Sequence, residues 1–210
     1  MSIDTSVIRI LTVDDHRLIR QGIAGIVSTQ PDMRMVAEAT NGREALKEFR
    51  AHRPDVTLMD MQMPEMSGLE AIITIRGEDP EARIIVLTTY SGDVQALRAL
   101  KAGARAYLLK DTLDLELLDT IRAVHAGRKS ISPEVSFQLA EHATDDPLTA
   151  GEVRVLALIA EGKANKEIAK RLSISEATVK GLVRNILSKL GAQDRTHAAM
   201  IGLKRGIIQL

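Results

Sequence analysis

The chain has 210 residues, enough for one large domain or two small ones. It has no cysteine, which excludes disulfides, thiolate metal sites and cysteine nucleophiles and fits a reducing compartment; with no Trp, two Tyr and two Phe, its core must be aliphatic, supplemented by eight Met. The formal net charge of zero conceals a split: residues 1–145 carry 17 basic and 22 acidic side chains, residues 146–210 carry 11 and 6, and a basic third of this kind is what a nucleic-acid partner requires. The first ten residues lack a basic stretch leading into an apolar one, so no signal peptide is expected. No apolar run approaches the roughly 18–20 residues of a membrane span. A cytoplasmic protein with no membrane partner is the expectation.

Up to about residue 127, short apolar runs alternate with amphipathic stretches. Strands are predicted over 8–13, 33–39, 55–59, 83–88 and 105–109, and helices near 16–29, 42–52, 67–77, 92–102 and 113–126. Near-continuous apolar strands separated by helices indicate a five-stranded parallel sheet covered on both faces, an α/β architecture. Such sheets bind ligands at the carboxyl ends of their strands. Gly127 is placed to cap the fifth helix, closing a first domain over 1–127. Residues 128–146 read as a linker, with a helix from Pro133 to Ala143 capped by Ser132.

From residue 147 the pattern is all-α. Thr149-Ala150-Gly151-Glu152 is a capping box whose helix ends near Glu161-Gly162. A second helix is expected over 165–172, with Asn165 as its cap in place of Ala164. After a turn at Ser173-Ile174, Ser175 caps a third helix that runs to Leu190, with Gly191 beyond it. Asp194 caps a fourth that ends near Arg205-Gly206. Ala169 is small where two helices would cross, and Ile168, Leu172, Ile174 and Val179 supply a shared core. This is the pattern of a helix-turn-helix. Its second helix would present Lys180 and Arg184, four residues apart, to a major groove, where Lys or Arg can reach guanine O6 and N7. A helical hairpin with a solvated basic face is the alternative.

Three carboxylates fall at strand ends: Asp14 and Asp15 after the first strand, Asp60 after the third. Like charges 4 Å apart repel by roughly 4 kcal/mol at an effective dielectric of 20, so such a cluster must hold a cation or a proton. Hard oxygen donors suit Mg2+, which recruits phosphate, and the chemistry implied is phosphoryl transfer to a carboxylate. Thr88 at the end of the fourth strand offers a hydroxyl, and Lys110 at the end of the fifth offers a counter-charge.

Val13-Asp14-Asp15-His16, Met59-Asp60-Met61-Gln62-Met63-Pro64, Met66-Ser67-Gly68-Leu69, Ile85-Val86-Leu87-Thr88-Thr89 and Gly103 to Lys110 occur in order across residues 8–126. In this set the sequence resembles the receiver domain of bacterial two-component response regulators, which has a flavodoxin-like fold. The resemblance implies that Asp60 accepts a phosphoryl group from a sensor histidine kinase. It also implies that Asp15, Asp60 and the Gln62 backbone carbonyl bind Mg2+ directly, with Asp14 acting through water. Thr88 and Lys110 would then hold the phosphoryl group, Tyr107 would turn inward as a switch when Thr88 moves, and Gln62 and Tyr90 would tune the phosphoryl lifetime. Residues 148–208 resemble the LuxR-type DNA-binding domain of the NarL/FixJ regulators through Leu148-Thr149, Asn165 to Ala169, Ile174 to Lys180, Lys189-Leu190-Gly191 and Arg195. That likeness implies that Thr178, Lys180, Gly181 and Arg184 face promoter DNA and that Lys166 and Lys189 contact its backbone. It also implies that the last helix carries a dimer contact, with a homodimer when phosphorylated.

The sequence departs from these patterns in places. Asp111 follows Lys110 where many receivers have proline, often after a cis bond. Gly151, Ala164 and Leu182 stand where Arg, Ser and His are frequent, and Gly181 inside the recognition helix costs roughly 1 kcal/mol against Ala. An aspartyl phosphohydrolase is a rival reading, but Gln62 occupies the position of its general acid and cannot deliver a proton. The chain is therefore read as a phosphoacceptor with at most slow autodephosphorylation, not an enzyme. A flavodoxin-like binding module would need a Ser/Thr/Gly-rich phosphate loop where Asp14-Asp15-His16 stands. A receiver that works without phosphate is the third rival. The five histidines show no ligand spacing and read as surface or local capping residues.

Overall fold

The computed structural model describes residues 7–89, 93–131, 135–137, 140, 142 and 146–208. The chain divides into two compact units, residues 1–89 with 96–136 and residues 90–95 with 137–210; the last division falls inside the predicted linker. The linker helix from Pro133 to Ala143 and the role of Tyr90 rest largely on residues outside the described ones.

Through residue 125 the elements alternate: β1 (Ile8–Val13), α1 (Arg17–Ser28), β2 (Met33–Ala39), α2 (Gly42–His52), β3 (Val56–Asp60), α3 (Gly68–Glu78), β4 (Ile84–Thr88), α4 (Asp93–Lys101), β5 (Ala106–Leu109), a 3-10 turn (Lys110–Thr112) and α5 (Leu113–His125). The sheet order is β2-β1-β3-β4-β5-β6, with β6 the short strand Ser130–Ile131 and every pairing parallel. Every residue of β3 and β4 is buried, as a parallel sheet covered on both faces demands. The expected five strands become six. β6 (Ser130–Ile131) adds two residues to the edge beside Ala106 and Tyr107. So short a strand, with basic residues before it, carries no readable alternation. Gly127 adopts φ +82 and donates to the Val124 carbonyl at 3.0 Å, closing α5 as predicted.

Two glycines set the loop after β3. A Cβ on Gly68 would lie 1.9 Å from the Asp60 carbonyl oxygen, and one on Gly42 would lie 2.7 Å from the Met66 backbone oxygen. Without side chains there, α3 starts directly against the Asp60 peptide. Ser67 and Glu70 close a capping box on α3, satisfying amides that the helix leaves free. The Lys110–Asp111 bond is trans, because the described residues contain no cis peptide, and the chain after Lys110 turns in one 3-10 turn instead.

The second unit contains α6 (Ala150–Ala160), α7 (Asn165–Leu172), α8 (Glu176–Leu190) and α9 (Arg195–Lys204). Thr149, Ser175 and Asp194 accept backbone amides as N-caps of α6, α8 and α9, as expected. α7 is different. Its N-cap is Ala164, which has no side-chain acceptor; Glu167 reaches back to the Ala164 amide at 2.8 Å and supplies half of a capping box. Asn165 is therefore the first helical residue, not the cap, and its Oδ1 accepts from Arg195 at 3.3 Å. Val155, Leu156, Ile168, Val179, Ile186 and Ala198 are fully buried and tie the four helices into one core. Burial of each such aliphatic side chain is worth roughly 1.5–3 kcal/mol.

Candidate functional site

The carboxyl ends of four strands converge. Asp60 is the last residue of β3, Asp14 follows β1, Thr88 ends β4 and Lys110 follows β5. Asp14 is 0% exposed and Asp60 4%, which is unusual for carboxylates unless they are paired. Lys110 provides the pairing: its ammonium lies 2.7 Å from Asp14 Oδ2 and 3.0 Å from Asp60 Oδ2. Burial pushes the Asp60 carboxyl above the ordinary aspartate value; Lys110 pulls it back and the neighbouring Asp14 charge pushes it up again. For Lys110 the order reverses. Burial disfavours its charge, but the hydrogen bond and attraction of the two carboxylates outweigh that and leave it above the ordinary lysine value.

Backbone contacts hold the acids in place. The His16 amide donates to Asp14 Oδ1 at 2.8 Å, and the Gln62 amide donates to Asp60 Oδ1 at 3.4 Å. Arg20 on α1 donates to the Asp14 carbonyl at 2.7 Å and to Glu38 at 3.1 Å, anchoring the loop between β1 and α1. Its sequence signal is no more than a basic residue one turn into α1, which does not distinguish it from a solvated one. Tyr107 is wholly buried and shares a hydrogen bond with the Thr88 side chain. Burial pushes its phenol up to about 12, and the Thr88 bond opposes that, so the ring is neutral. The Tyr107 ring is thus turned inward.

The donor set fits a divalent cation. Asp14, Asp15 and Asp60 each bring a carboxylate oxygen, the oxygens lie within 4.8 Å of one another, and Lys110 alone does not balance three negative charges. His16 belongs to the same group. Its Nδ1 lies 2.8 Å from Asp15 Oδ1 and 3.2 Å from Asp14 Oδ1. The expectation that the histidines are surface or local capping residues holds for His16 in its exposure, with the side chain 67% exposed, and its ring also reaches two acids of the site. Adjacency to two aspartates was the available signal, but sequence does not say where a ring points.

The second unit carries the predicted basic face. Lys166 on α7 and Thr178, Lys180, Gly181 and Arg184 on α8 are all exposed. A Cβ at Gly181 would meet nothing within 4 Å, so the helix surface is open there. Lys180 sits 3.5 Å from Glu176 one turn back, and the Thr178 hydroxyl lies 2.7 Å from the Ser175 hydroxyl at the cap. Lys189 is set apart from this face. Its ammonium is held 3.1 Å from the buried Glu152, 3.3 Å from Asp146 and 3.2 Å from the Pro147 carbonyl. It ties the start of α6 to the end of α8, so its charge is already engaged. Burial pushes the Glu152 carboxyl up, but the Thr149 amide and hydroxyl and Lys189 together bring it below the ordinary glutamate value.

Comparison with known proteins matches both units. Residues 10–122 fit the response regulator receiver domain family, and residues 146–201 fit the luxR family of bacterial regulatory proteins. The uncharacterized transcriptional regulatory protein YhcZ of Bacillus subtilis is 44% identical over 205 residues, covering 93% of this chain and 95% of YhcZ. The solved response regulator ChrA of a heme-sensing two-component system is 33% identical with a TM-score of 0.58, covering 97% of this chain and 100% of that one. RcsB of Salmonella enterica serovar Typhimurium, solved on promoter P1flhDC with phosphomimetic BeF3-, is 25% identical with a TM-score of 0.73, covering 95% and 99%.

Proposed function

This chain belongs to the response regulators that join a receiver domain to a LuxR-family DNA-binding domain, and from that premise we propose that Asp60 is the acceptor of a phosphoryl group delivered by a sensor histidine kinase. The observation that carries the proposal is the placement of the Asp60 carboxylate at the end of β3, buried and ion-paired with Lys110 at the end of β5. A carboxylate oxygen of Asp60 attacks phosphorus, the bond from phosphorus to the donor nitrogen breaks, and the donor imidazole leaves. Asp15, Asp60 and the Gln62 carbonyl would hold Mg2+, with Asp14 behind them. The ion supplies charge neutralisation to the phosphoryl oxygens. Lys110 is positioned to leave Asp60 for the new phosphoryl oxygen, and Thr88 to donate its hydroxyl to another. Because Tyr107 is hydrogen-bonded to Thr88, movement of that hydroxyl has to be felt by the ring.

Gln62 has no proton to deliver to a leaving group, so the chain acts as a phosphoacceptor and not as a turnover enzyme. The output is promoter binding through α8, with Lys180 and Arg184 toward the base edges and Lys166 toward phosphate. Phosphorylation favours a homodimer that reads two half-sites. Among the described residues no helix is long and apolar enough to cross a membrane, and the cytoplasm is the compartment where kinase and promoter meet.

Radiolabelled acetyl phosphate tests the acceptor directly. The wild-type chain takes up label in Mg2+ and takes up none when EDTA is present from the start, and Asp60→Asn and Asp60→Ala take up none in either. Label persisting on either variant refutes the assignment.

A further inference from the structure

Phosphoryl transfer as set out above leaves the imidazole of His16 without a task, although its position is specific. His16 stands at the N-terminal boundary of α1, where a side chain would ordinarily cap the free amides. Its backbone is extended (φ −82, ψ 108) and its side chain caps nothing. The ring instead turns to the acids, with Nδ1 2.8 Å from Asp15 Oδ1 and 3.2 Å from Asp14 Oδ1. The loop beneath it is held by the His16 amide on Asp14 and by Arg20 on the Asp14 carbonyl.

The carboxylates are divided between two sides. Lys110 occupies Oδ2 of Asp14 and Oδ2 of Asp60. The Oδ1 edge of Asp14 faces His16. One donor atom from each of Asp14, Asp15, His16 and Asp60 lies within 4.8 Å of the others. The His16 contacts of 2.8 and 3.2 Å match the roughly 3 Å between neighbouring ligands in a sphere with bonds of roughly 2.0–2.2 Å, and the outer limit of 4.8 Å requires only a slight drawing-in around an ion. The cluster therefore offers three oxygens and one imidazole nitrogen.

We propose, resting on the reading of this cluster as the receiver's cation site, that His16 Nδ1 is a direct ligand of the bound cation and biases the site from Mg2+ toward divalent first-row transition metals. Mg2+ takes oxygen donors, whereas neutral imidazole is a common ligand of transition metals. A nitrogen in the sphere raises affinity for the second class and contributes nothing to the first. Its exposure does not weaken the case, because a receiver must leave one side of the cation open to phosphate. The ring closes part of that side when the metal is of the class that accepts it.

Mn2+ serves as the probe, on the full-length chain at pH 7.5, where the ordinary imidazole is neutral. Free Mn2+ is counted by its EPR signal during titration, Mg2+ affinity is taken from competition, and electron spin-echo modulation of bound Mn2+ reports any directly attached nitrogen. The wild type is expected to show imidazole nitrogen modulation, and His16→Ala to lose it. The same variant is expected to bind Mn2+ about tenfold more weakly, the low end of the effects seen when metal-site support is removed, with Mg2+ affinity held within about twofold. Absence of nitrogen modulation in the wild type, or an equal loss for both cations in His16→Ala, overturns the ligand assignment and leaves the cation site intact. If neither cation binds, or if Asp15→Asn binds Mn2+ as the wild type does, the cation site itself is wrong.

Discussion

The chain handles charge in opposite ways in its two units. In the receiver, Asp14 and Asp60 are 0% and 4% exposed, and Lys110 at another strand end pairs with both. On the basic face of the second unit, the Lys180 side chain is 65% exposed and its partner is a glutamate on the same helix. Buried charges are costly unless paired, so the fold must place them before any ligand arrives. Exposed charges cost little and gain little until a polyanion meets them. The first arrangement stores free energy that a ligand can release; the second waits for a surface of opposite sign.

If that contrast is right, backbone damage at the buried site does more harm than removal of any single exposed charge. Gly68→Val is the sharpest way to break the comparison. Its first added carbon would sit 1.9 Å from the Asp60 carbonyl oxygen, so either α3 or the Asp60 peptide must shift. Overpacking of this kind costs about 2–3 kcal/mol. Urea unfolding of the variant should show that loss, and phosphotransfer from acetyl phosphate should fall with it. A fully stable variant with normal phosphotransfer would mean that the close approach of α3 does not set the site.

Lys180 and Lys189 test the exposed side against a partly buried one, since both lysines lie on α8 and both were expected at DNA. Lys180→Ala and Arg184→Ala should each weaken specific DNA binding by roughly 1–3 kcal/mol if they read bases, with little change in thermal stability. Lys189→Ala should do the reverse. It leaves the buried Glu152 facing Thr149 alone and frees Asp146 and the Pro147 carbonyl, so the melting temperature falls, while the slope of log affinity against log salt stays as it was. The Glu152 carboxyl is held below its ordinary value, so its contribution is present above the ordinary glutamate range and is lost as pH falls through the lowered one. The stability gap between Lys189→Ala and the wild type should therefore narrow in acid. A drop in salt slope of about one for Lys189→Ala would put this lysine back on a phosphate.

Much of this arrangement can be read from the chain itself, for a physical reason. Strand ends follow from where apolar runs stop, so Asp14, Asp60, Thr88 and Lys110 could be placed on one edge before any coordinates. The caps at Thr149, Ser175 and Asp194 are local and equally readable. What escaped was direction and distance. His16 needed the angle of a ring. The Lys189–Glu152 pair spans 37 residues and two helices, and no periodicity links them. The sixth strand is two residues long, and α7 begins on an alanine because Glu167, three residues on, reaches back to do the capping.

The smallest effect concerns Asp60 apart from its chemistry. Burial and Asp14 keep its carboxyl above the ordinary aspartate value despite Lys110. A raised folded-state value means that the native state prefers the neutral acid. The associated stability is present below the ordinary aspartate range and is lost as pH rises through the raised value. At neutral pH and without metal, the ionised Asp60 therefore works against folding. Asp60→Asn, which keeps the Asp14–Lys110 pair, should melt slightly above the wild type at pH 7, and the two should converge in acid. Mg2+ should reverse the order, because a cation at ten times its dissociation constant stabilises the wild type by about 1.4 kcal/mol and has fewer oxygens to hold in the variant. Calorimetry of both proteins at pH 4 and 7, with and without Mg2+, reads all four states. An Asp60→Asn protein less stable than the wild type at pH 7 without metal would mean that Lys110 more than offsets the burial of that charge, and that the receiver stores no free energy there for phosphorylation to release.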